Sequence, residues 1–464
     1  MRLAEFACRR VDPLAQNPSR RLYKDPLKSS DQISRLLFIS QVYVPDPASV
    51  GQHMADVAAA LVTRGYDVRV LTSARGYEDP SVKHPRRERI SDVDVVRLPF
   101  SSFGKKSLAH RLLGQCLFLL QVLFRGVFAR RLAGVVVSTS PPMAAVAAVI
   151  IAFVRRVPIT YWVMDLNPDQ TVALGRISAR SPLVAAMRWL NRTIFCRAAD
   201  VVVLDQYMAQ RVQSQYRVTG RLHILPPWPH EVALPAPAAA ANPFAARHNL
   251  AGRFVVMYSG NHSLASPVTT LLQAAVQMQD DPRLLFMFIG GGHGKREVDE
   301  AIAQDRAANI VSLPYQPLNE LCYSLPAADL HVVTLGDNMV GMIHPCKIYG
   351  AMAVGRPILL IGPRPSHAAD LIEVHNIGWQ VDQGDIVGLV AALRQIVATP
   401  PQTLAEMGRR AREAVRQHFS KDVLCNAFCD AVEHSLVPAQ PGHADHTDDS
   451  RRRAPQMATD SVVG

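Results

Sequence analysis

Residues 344–361 read HPCKIYGAMAVGRPILLI, which is a polar turn, an apolar helical segment, a Gly-Arg-Pro break and a run of branched aliphatic residues. Gly355 is suited to end the helix, because glycine readily adopts the left-handed conformation that follows a helix C-terminus. The next strand then begins at Pro357, and another short apolar run, Leu330–Thr334, precedes the whole segment. Short, continuously apolar strands on both sides of a helix are typical of a parallel sheet that is covered on both faces.

The alternation of strands and helices extends from this unit in both directions. We predict strands at Leu36–Ser40, Val68–Leu71, Val93–Leu98, Val135–Ser138, Ile159–Val163 and Val201–Leu204, and then at Phe254–Tyr258, Leu285–Ile289, Ile310–Leu313, Leu330–Thr334 and Pro357–Ile361. Between the first two strands, Val50, Met54 and Leu61 share one helical face, and Gly65 is a stop signal. Repeated strand–helix–strand units predict an α/β fold with doubly wound parallel sheets.

The chain divides into two such sheets and two flanking tails. The Ala/Pro-rich stretch at residues 225–245 is the best candidate for a linker. We predict a basic, disordered tail at residues 1–32, Rossmann-like domains at 33–235 and 236–436, and a disordered tail at 437–464. The last helix of the second domain could pack back on the first. Ligands bind beyond the carboxyl ends of parallel strands, so we expect the two domains to face a central cleft.

Composition and charge narrow the classes of function. The 464 residues carry a formal charge of +11 and are 48% hydrophobic, which is typical of a globular protein. A basic surplus suits nucleic acid, anionic lipid or a phosphorylated substrate. We see no recognition helix, zinc-ligand spacing or aromatic RNA-binding strand, so no nucleic-acid partner is predicted. The seven cysteines form no CxxC pair, and we find neither a signal peptide nor an apolar run of roughly 18 residues, which together predict a reduced, cytoplasmic protein.

Two loops that follow predicted strands are candidates for ligand binding. The turn after the first strand ends in Gly51, whose size would let the backbone approach an anion at the start of the next helix. It lacks the GxGxxG spacing of a dehydrogenase, and an ordinary strand-to-helix turn is the alternative. In the loop that opens the second domain, Gly260 permits close approach, while Asn261 and His262 offer hydrogen-bond donors. A polar turn with a helix cap is the alternative there.

A glycine cluster follows the second strand of the second domain. Gly294 and Lys295 are similar to the end of a Walker A motif. However, Ile289 stands where that motif needs its first glycine, and Arg296 stands where it needs Ser or Thr. This excludes a Walker A loop, but Gly291 still suits the close approach of a ligand.

Lys347 and Asp165 lie at positions where a charged side chain without a binding partner would be unfavourable. Pro345 suits the first turn of a helix, so Lys347 also lies in that turn, where its charge opposes the helix dipole. A bound phosphate would remove this conflict. Asp165 follows an apolar strand, where burial of a carboxylate is costly unless it has a role or partners. Asp165 could orient or deprotonate an acceptor hydroxyl, and a structural helix cap is the alternative.

Taken together, these motifs resemble glycosyltransferase family 4, in the branch of colanic-acid and O-antigen assembly enzymes. The resemblance covers about residues 35–436. It rests on Tyr43-Val44-Pro45, RGYDVRVLT at 64–72, STSPP at 138–142, Asp165-Leu166-Asn167-Pro168, AADVVVL at 198–204, MYSGNHS at 257–263, PYQP at 314–317 and PCKIYGAMAVGRPIL at 345–359. The order and spacing of these segments are more specific than any one of them.

The resemblance implies a GT-B fold, with an N-terminal acceptor domain and a C-terminal domain that binds a nucleoside-diphosphate sugar. It implies a retaining hexosyltransferase whose donor is a substrate, with no metal and no cofactor required. Gly260 would approach the donor phosphates, and Lys347 would neutralise the leaving diphosphate. Tyr315 and Gln316 would lie by the base. The remaining expected donor contacts are Gly51, Asn261, His262, Gly291, Ile348 and Glu373.

One departure from the family leaves the function open. The family usually carries two glutamates, eight positions apart, that bind the donor sugar and its ribose, and Met342 and Gly350 stand at the aligned positions. His344, which we also treat as a catalytic candidate, and Asp337 or Glu373 could replace these groups. The alternatives are a catalytically silent GT-B protein that binds nucleotides or scaffolds an assembly, and a nucleotide-sugar epimerase-like enzyme.

The segment Leu112–Arg131 is apolar with interspersed arginines. It predicts a basic amphipathic helix that could lie on an anionic leaflet, and a core-facing helix is an equal alternative. Enzymes of this kind often use polyprenyl diphosphate-linked acceptors. The resemblance therefore implies a lipid-linked or polysaccharide precursor as the acceptor, with peripheral contact on the cytoplasmic face of a membrane.

Overall fold

The computed structural model describes residues 34–46, 48–76, 81–101, 108–141, 143–218, 220–230, 242–304 and 308–437. The predicted disordered tails at 1–32 and 437–464 lie outside these ranges except for Val437, as do residues 231–241 of the predicted linker. Within the described residues the chain forms two α/β domains, each built on one β-sheet; one precedes the linker and the other follows it.

The first sheet has eight strands and is almost entirely parallel. Its strands are β1 (Arg35–Ile39), β2 (Asp67–Ser73), β3 (Arg87–Ile90), β4 (Val93–Leu98), β5 (Leu132–Ser138), β6 (Ile159–Trp162), β7 (Asp200–Val203) and β8 (Leu222–Ile224). They are arranged in the order β3-β4-β2-β1-β5-β6-β7-β8, and only β3 runs antiparallel to its neighbour. The helices on its faces are α1 (Ser49–Thr63), α2 (Leu108–Val127), α3 (Ala144–Arg155), α4 (Asp169–Ala173), α5 (Pro182–Arg197) and α6 (Gln206–Gln215).

The second sheet has six strands, all parallel. Its strands are β9 (Phe254–Ser259), β10 (Leu284–Ile289), β11 (Ile310–Leu313), β12 (Leu330–Thr334), β13 (Ile358–Ile361) and β14 (Gly378–Val381). They lie in the order β11-β10-β9-β12-β13-β14. The helices are α7 (Pro243–Arg247), α8 (Thr269–Gln277), α9 (Lys295–Ala303), α10 (Leu321–Ser324), α11 (Lys347–Ala353), α12 (His367–His375), α13 (Ile386–Ala398), α14 (Pro401–Ala414) and α15 (Lys421–Leu436), with a π turn at Val415–Phe419.

Both sheets are doubly wound, as predicted. The strand order reverses between β1 and β5 in the first sheet and between β9 and β12 in the second. These reversals are topological switch points, where open α/β sheets form a crevice beyond the carboxyl ends of their strands. The central strands are fully buried, and Leu36 and Phe38 of β1 are examples with no exposed area.

The last helix, α15, leaves the second domain and packs on the first. Its residues Leu424, Phe428 and Val432 belong to the hydrophobic core around the first sheet. The ring centroid of Phe428 lies 4.4 Å from that of Trp162 at the end of β6. Arg64 forms ion pairs with the same helix. The first domain therefore includes a helix that its own half of the sequence does not supply.

Direct contacts join the two domains at the carboxyl ends of their sheets. The Leu166 N–H, beyond β6, donates to the Met342 carbonyl, beyond β12, at 2.9 Å. Gly341 has a φ of +70°, and a methyl group there would lie 2.7 Å from the Tyr207 carbonyl oxygen. The Tyr207 hydroxyl donates to Asp370 of α12 at 2.8 Å. Both switch points therefore border one inter-domain cleft.

Candidate active site

Lys347 and Gly260 come together at the switch point of the second sheet. Gly260 follows β9 with a φ of +133°, and a side chain there would overlap the alkyl chain of Lys347. The Lys347 ammonium group lies 5.0 Å from the centroid of the Tyr258 ring, within cation–π range. None of the ion pairs within the described ranges involves Lys347. Lys347 is therefore a partly buried cation that lies against the main chain of Gly260 and has no carboxylate partner among the described residues.

The predicted helix boundary near Lys347 was wrong by two residues. Helix α11 begins at Lys347, whereas Pro345 lies in the preceding turn and accepts a hydrogen bond from the Ile348 N–H at 3.2 Å. The Ile348 side chain is fully buried in the core. Since α11 has only seven residues, its dipole contributes less than the sequence pattern suggested. The charge and reach of the Lys347 side chain matter more.

The glycine cluster after β10 lets the loop that contains it pack closely against the loops that follow β9 and β11. A methyl group at Gly290 would overlap the Gly260 carbonyl oxygen, and one at Gly292 would overlap the Asn261 amide oxygen. A methyl group at Gly291 would lie 3.0 Å from the ring of Tyr315. The cluster therefore stacks the loops after β9, β10 and β11 against one another and places Tyr315 at the rim.

Lys295, which follows this cluster, has a structural role. Its ammonium group donates to the carbonyl oxygens of Phe288 at 2.9 Å and Leu313 at 2.7 Å, at the ends of β10 and β11. Burial lowers its pKa. Lys295 caps two strands within the protein, which agrees with the exclusion of a Walker A loop.

His262 lies beneath its loop rather than on the surface of the cleft. His262 is fully buried. Its main-chain N–H donates to the Gly291 carbonyl at 2.7 Å, and its ring centroid lies 4.8 Å from that of Tyr258. Burial and then the charge of Lys295 lower its pKa to about 4, so the ring is neutral at physiological pH. His262 supports the loop through its main chain, and the exposed neighbour Asn261 is better placed to reach a ligand.

Asp165 faces the same site from the first domain. It is half-buried, and desolvation raises its pKa from 3.8 to about 6. Burial and then the charge of Asp165 raise the pKa of the Cys346 thiol to about 12, which places the carboxylate near the residue preceding Lys347. The Thr139 hydroxyl oxygen accepts hydrogen bonds from the N–H groups of Met164 at 3.2 Å and Asp165 at 3.3 Å. These hydrogen bonds fix the main chain of Asp165 just beyond the end of β6.

A small pocket beside Asp165 has both polar and apolar side chains in its lining. It is lined by Thr139, Met143, Tyr161, Asp165, Leu166, Asn167, Met187, Leu190, Asn191 and Phe195. The weakly solvated surroundings explain the raised pKa of the carboxyl group. A desolvated carboxylate with a raised pKa can accept a hydrogen bond or a proton from a hydroxyl group.

His344 lies in a hydrogen-bonded network between the domains. Its side chain has no exposed area, and its Nδ1 lies 2.7 Å from a carboxylate oxygen of Asp205, the cap of α6. Its Nε2 lies 3.0 Å from the Tyr349 hydroxyl, which lies 2.9 Å from Nε2 of His367. Burial opposes ionisation of Asp205, but the hydrogen bond and charge of His344, the charge of His367 and the Met208 N–H together outweigh it and lower the pKa of Asp205. In this conformation His344 joins the domains and does not line the cleft.

The other predicted donor contacts are scattered around this centre. Gln316 donates to the Pro314 carbonyl at 2.9 Å beside Tyr315. Glu373 is exposed on α12, and Asp337 is exposed in the turn after β12. In α1, a methyl group at Gly51 would lie 2.9 Å from Tyr43 Cα, so Gly51 allows the helix to pack against its preceding loop.

Neither of the two positions where the family usually has glutamate carries a carboxylate group. Met342 is buried against the core of the first domain, and its carbonyl oxygen accepts the hydrogen bond from Leu166. Gly350 lies inside α11. Tyr258 and Asp205 were not predicted as site residues, although Tyr258 stands two residues before Gly260 at a strand end. Asp205 gave no signal, because its partner His344 is 139 residues away.

A cavity of about 440 Å³ opens between the two domains, beside α1 and α10. Residues Val44, Gln52, Ala55, Asp56 and His230 line it from the first domain, and Leu318, Asn319, Leu321, Cys322 and Tyr323 line it from the second. Its volume is within the range of small-molecule sites. The interface between the domains therefore has room for a small-molecule ligand at this place.

An exposed apolar surface covers three helices of the first domain. We call it the apolar face; its residues are Leu113, Leu120, Phe124, Phe128, Ile150, Phe153, Val154, Leu183 and Trp189. They are between 40% and 71% exposed. Helix α3 packs on both α2 and α5, and the Arg197 guanidinium group lies 5.7 Å from the Phe153 ring centroid. None of the helices in the described ranges is long and apolar enough to cross a bilayer.

Comparisons with known proteins agree with this architecture. Residues 49–228 match the glycosyl transferase 4-like domain. The chain is 24% identical over 409 residues to a probable glycosyltransferase WbjE of Pseudomonas aeruginosa, covering 87% of this chain and 99% of the relative. It is 23% identical to a putative colanic acid biosynthesis glycosyl transferase WcaI of Escherichia coli K12, covering 84% of this chain and 97% of the relative. The sequence resemblance is thereby confirmed.

Solved structures share the fold at low sequence identity. Sucrose-phosphate synthase from Thermosynechococcus elongatus superposes with a TM-score of 0.67 at 16% identity, covering 86% of this chain and 98% of that chain. Anabaena HepE in complex with UDP and glucose superposes with a TM-score of 0.65 at 16% identity, covering 86% and 99%. These neighbours confirm the GT-B fold.

Proposed function

We propose that this protein, a glycosyltransferase with a glycosyl transferase 4-like domain at residues 49–228, transfers a sugar from a nucleoside-diphosphate sugar to a lipid-linked or polysaccharide precursor with retention of configuration. The observation that carries the proposal is the Lys347 ammonium group. It lies beside Gly260 at a switch point, without a carboxylate partner in the described ranges. A cation at this position would neutralise the charge of a diphosphate bound in the cleft.

The donor would bind along the carboxyl edge of the second sheet. Lys347 and the Gly260 backbone would hold the diphosphate, and Tyr315 and Gln316 would lie by the base. In support, HepE has been solved with UDP and with UDP-glucose, so a protein of this fold accommodates such a donor. As the bond from the anomeric carbon to the diphosphate oxygen breaks, negative charge grows on the diphosphate. A preorganised cation stabilises that charge.

The acceptor would approach from the first domain. Asp165 has a pKa of about 6, so its carboxylate is ionised at neutral pH and is more basic than an exposed aspartate. It would accept a hydrogen bond, and finally the proton, from the acceptor hydroxyl while that oxygen bonds to the anomeric carbon. No metal enters this account, and retention rests on the family resemblance.

The apolar face would hold the enzyme on an anionic membrane. Exposed apolar patches of this kind mark interaction sites, and exposed arginines surround this one, namely Arg125, Arg130, Arg131, Arg156, Arg192 and Arg197. Aromatic rings flanked by arginine suit the boundary between headgroups and acyl chains of anionic lipid. This surface supports a lipid-linked acceptor on the cytoplasmic leaflet.

The test is a screen of nucleoside-diphosphate sugars with a polyprenyl diphosphate-linked sugar as acceptor, after thermal-shift selection of the donor. A tight donor raises the melting temperature by mass action. We expect release of the nucleoside diphosphate together with a glycosylated acceptor. Binding without turnover would instead identify a silent nucleotide-binding protein, and an isomerised donor would identify an epimerase-like enzyme.

A further inference from the structure

We infer that Asp200, His223 and His434 form a binding site for a divalent transition-metal ion, best suited to Zn²⁺, that fastens the returning helix α15 to the first domain. Asp200 is the first residue of β7, His223 lies in β8 and His434 lies in the last turns of α15. The site is separate from the cleft, because β7 runs from Asp200 toward Asp205, which contacts the second domain at the opposite end of the strand.

The donor atoms already converge. Nε2 of His223 lies 2.6 Å from Oδ1 of Asp200. Nδ1 of His434 lies 3.2 Å from Oδ1 and 3.1 Å from Oδ2 of the same carboxylate. One ligand atom from each residue can be chosen so that all three lie within 4.8 Å of one another. Tetrahedral zinc has bonds of about 2.0–2.2 Å, which separates its ligands by roughly 3.4 Å. Shifts of under about 1 Å would therefore create the site.

The exposure of the three residues also suits a metal site. The Asp200 side chain is only 1% exposed, whereas those of His223 and His434 are 32% and 68% exposed. The carboxylate is therefore fixed at the base of the site, and the two imidazoles can adjust around an ion that arrives from solvent. Among the described residues, the hydrogen-bond and ion-pair partners of Asp200 are these two imidazoles. A divalent cation would balance the buried negative charge.

Two imidazole nitrogens and one carboxylate oxygen are ligands that zinc accepts readily, and a water molecule would complete the tetrahedron. Zinc would take the place of the hydrogen atom on Nε2 of His223, and the neutral imidazole would then carry its hydrogen on Nδ1. Because the ligands come from β7, β8 and α15, the bound ion would hold the last helix against the edge of the sheet. The expected consequence is a more stable contact between the end of the chain and the first domain.

The experiment is equilibrium dialysis of the full chain, freed of metal, against ZnCl₂ with measurement of zinc per chain, followed by thermal unfolding with and without zinc. We expect one site that His434→Ala weakens at least tenfold, together with loss of the zinc-dependent rise in melting temperature. Asp200→Asn should have the same effect on zinc binding. His434 is the preferred variant, because its exposed side chain is removed with little disturbance of packing.

Two control variants separate this site from other histidines. His418→Ala removes a member of the His375–His418 pair, whose ring centroids are 6.2 Å apart, as are those of His223 and His434. His443→Ala/His446→Ala removes the two histidines of the C-terminal segment. Both controls should keep the high-affinity site. Stoichiometric binding that survives His434→Ala and Asp200→Asn, or the absence of zinc binding to the wild type, would overturn the inference.

Discussion

The two switch points of this molecule have the same topology but differ in what lies against their glycines. At the first, Gly51 of α1 packs against main-chain atoms of Tyr43, with 2.9 Å between an added methyl carbon and Cα. At the second, Gly260 lies against the side chain of Lys347. A backbone cannot move aside, whereas a lysine side chain can swing toward an anion. The fold thus offers two crevices, and side-chain chemistry makes the second one the candidate diphosphate site.

The largest effect should come from removing the cation at the second switch point. Lys347→Ala is expected to lower kcat/KM for transfer by about 10²–10³, the usual cost of losing one preorganised electrostatic group. The melting temperature should change little. Steady-state transfer assays with the donor selected by thermal shift would measure this. The exposed Lys83 offers a matched control: Lys83→Ala should keep the wild-type rate. Wild-type activity in Lys347→Ala would remove the basis for the diphosphate site.

A somewhat smaller effect is expected at the opposite wall of the cleft. Asp165→Asn should lower kcat/KM by about 10², since general-base groups contribute at least this much. For the wild type, kcat/KM should fall as pH drops below about 6, where Asp165 becomes protonated. The Asn variant should lack this limb of the pH profile. A variant that keeps both the rate and the pH profile would show that Asp165 is structural.

The stability of the same variant gives a second readout with a definite sign. The folded-state pKa of Asp165 is raised above its ordinary 3.8, so the folded state binds the proton more tightly. The wild type therefore loses stability as pH rises from about 4 through about 6. Asp165→Asn removes this cost, and it should be more stabilising at pH 8 than at pH 4. Equal effects at both pH values would contradict the raised pKa.

The glycines themselves give a paired test of the comparison. Gly260→Ala introduces a side chain at a φ of +133° and displaces Lys347, so we expect donor KM to rise about tenfold, from roughly 1–3 kcal/mol of backbone strain and lost contact. Gly51→Ala should instead lower the free energy of unfolding by about 1–3 kcal/mol through overpacking, with donor KM unchanged. Donor KM and urea unfolding of both variants check this. The reverse assignment of effects would make the first switch point the donor site.

The smallest free-energy contribution per residue is expected for the arginines beside the apolar face, which would contribute to membrane binding. Reversal of Arg125, Arg130 and Arg131 to glutamate should release the protein from anionic vesicles, since each basic residue near such a surface contributes about 1 kcal/mol. Flotation with phosphatidylglycerol vesicles measures it, and neutral vesicles provide the lipid control. Charge reversal of the exposed Arg409 and Arg416 on the second domain is the matched protein control. Unchanged flotation of the triple variant would reject this face as the anchor.

Strand prediction succeeded where the apolar signal was continuous, including the edge strand β11, and failed at the other three edge strands. The predicted runs Val93–Leu98, Ile310–Leu313 and Leu330–Thr334 match β4, β11 and β12 residue for residue. The missed strands are β3, β8 and β14. They lie at or near sheet edges, and β3 reads Arg-Glu-Arg-Ile. An edge strand is held by one neighbour and faces solvent, so its sequence need not be apolar.

Local sequence pattern predicted the position of residues tied to strand ends, and it missed the surroundings of residues that are placed by long-range contacts. Gly260, Lys347 and Asp165 follow strands or open a helix, so the alternation of elements places them at one edge. We predicted His344 as a catalytic candidate because it could replace one of the glutamates that this sequence lacks. Its side chain is instead buried between Asp205 and Tyr349, and contacts across 139 residues are invisible to local pattern.

By itself, the sequence determined two doubly wound sheets, the strand ends that meet the cleft, and the cation and carboxylate that stand there. Periodicity and glycine positions carry that information, because they act over a few residues along the chain. The tertiary structure alone decided that Gly51 serves packing, that Lys295 caps strands, that His344 joins the domains, and that α15 brings His434 to Asp200. These outcomes depend on which distant segments meet, and that is settled by how both cores pack together.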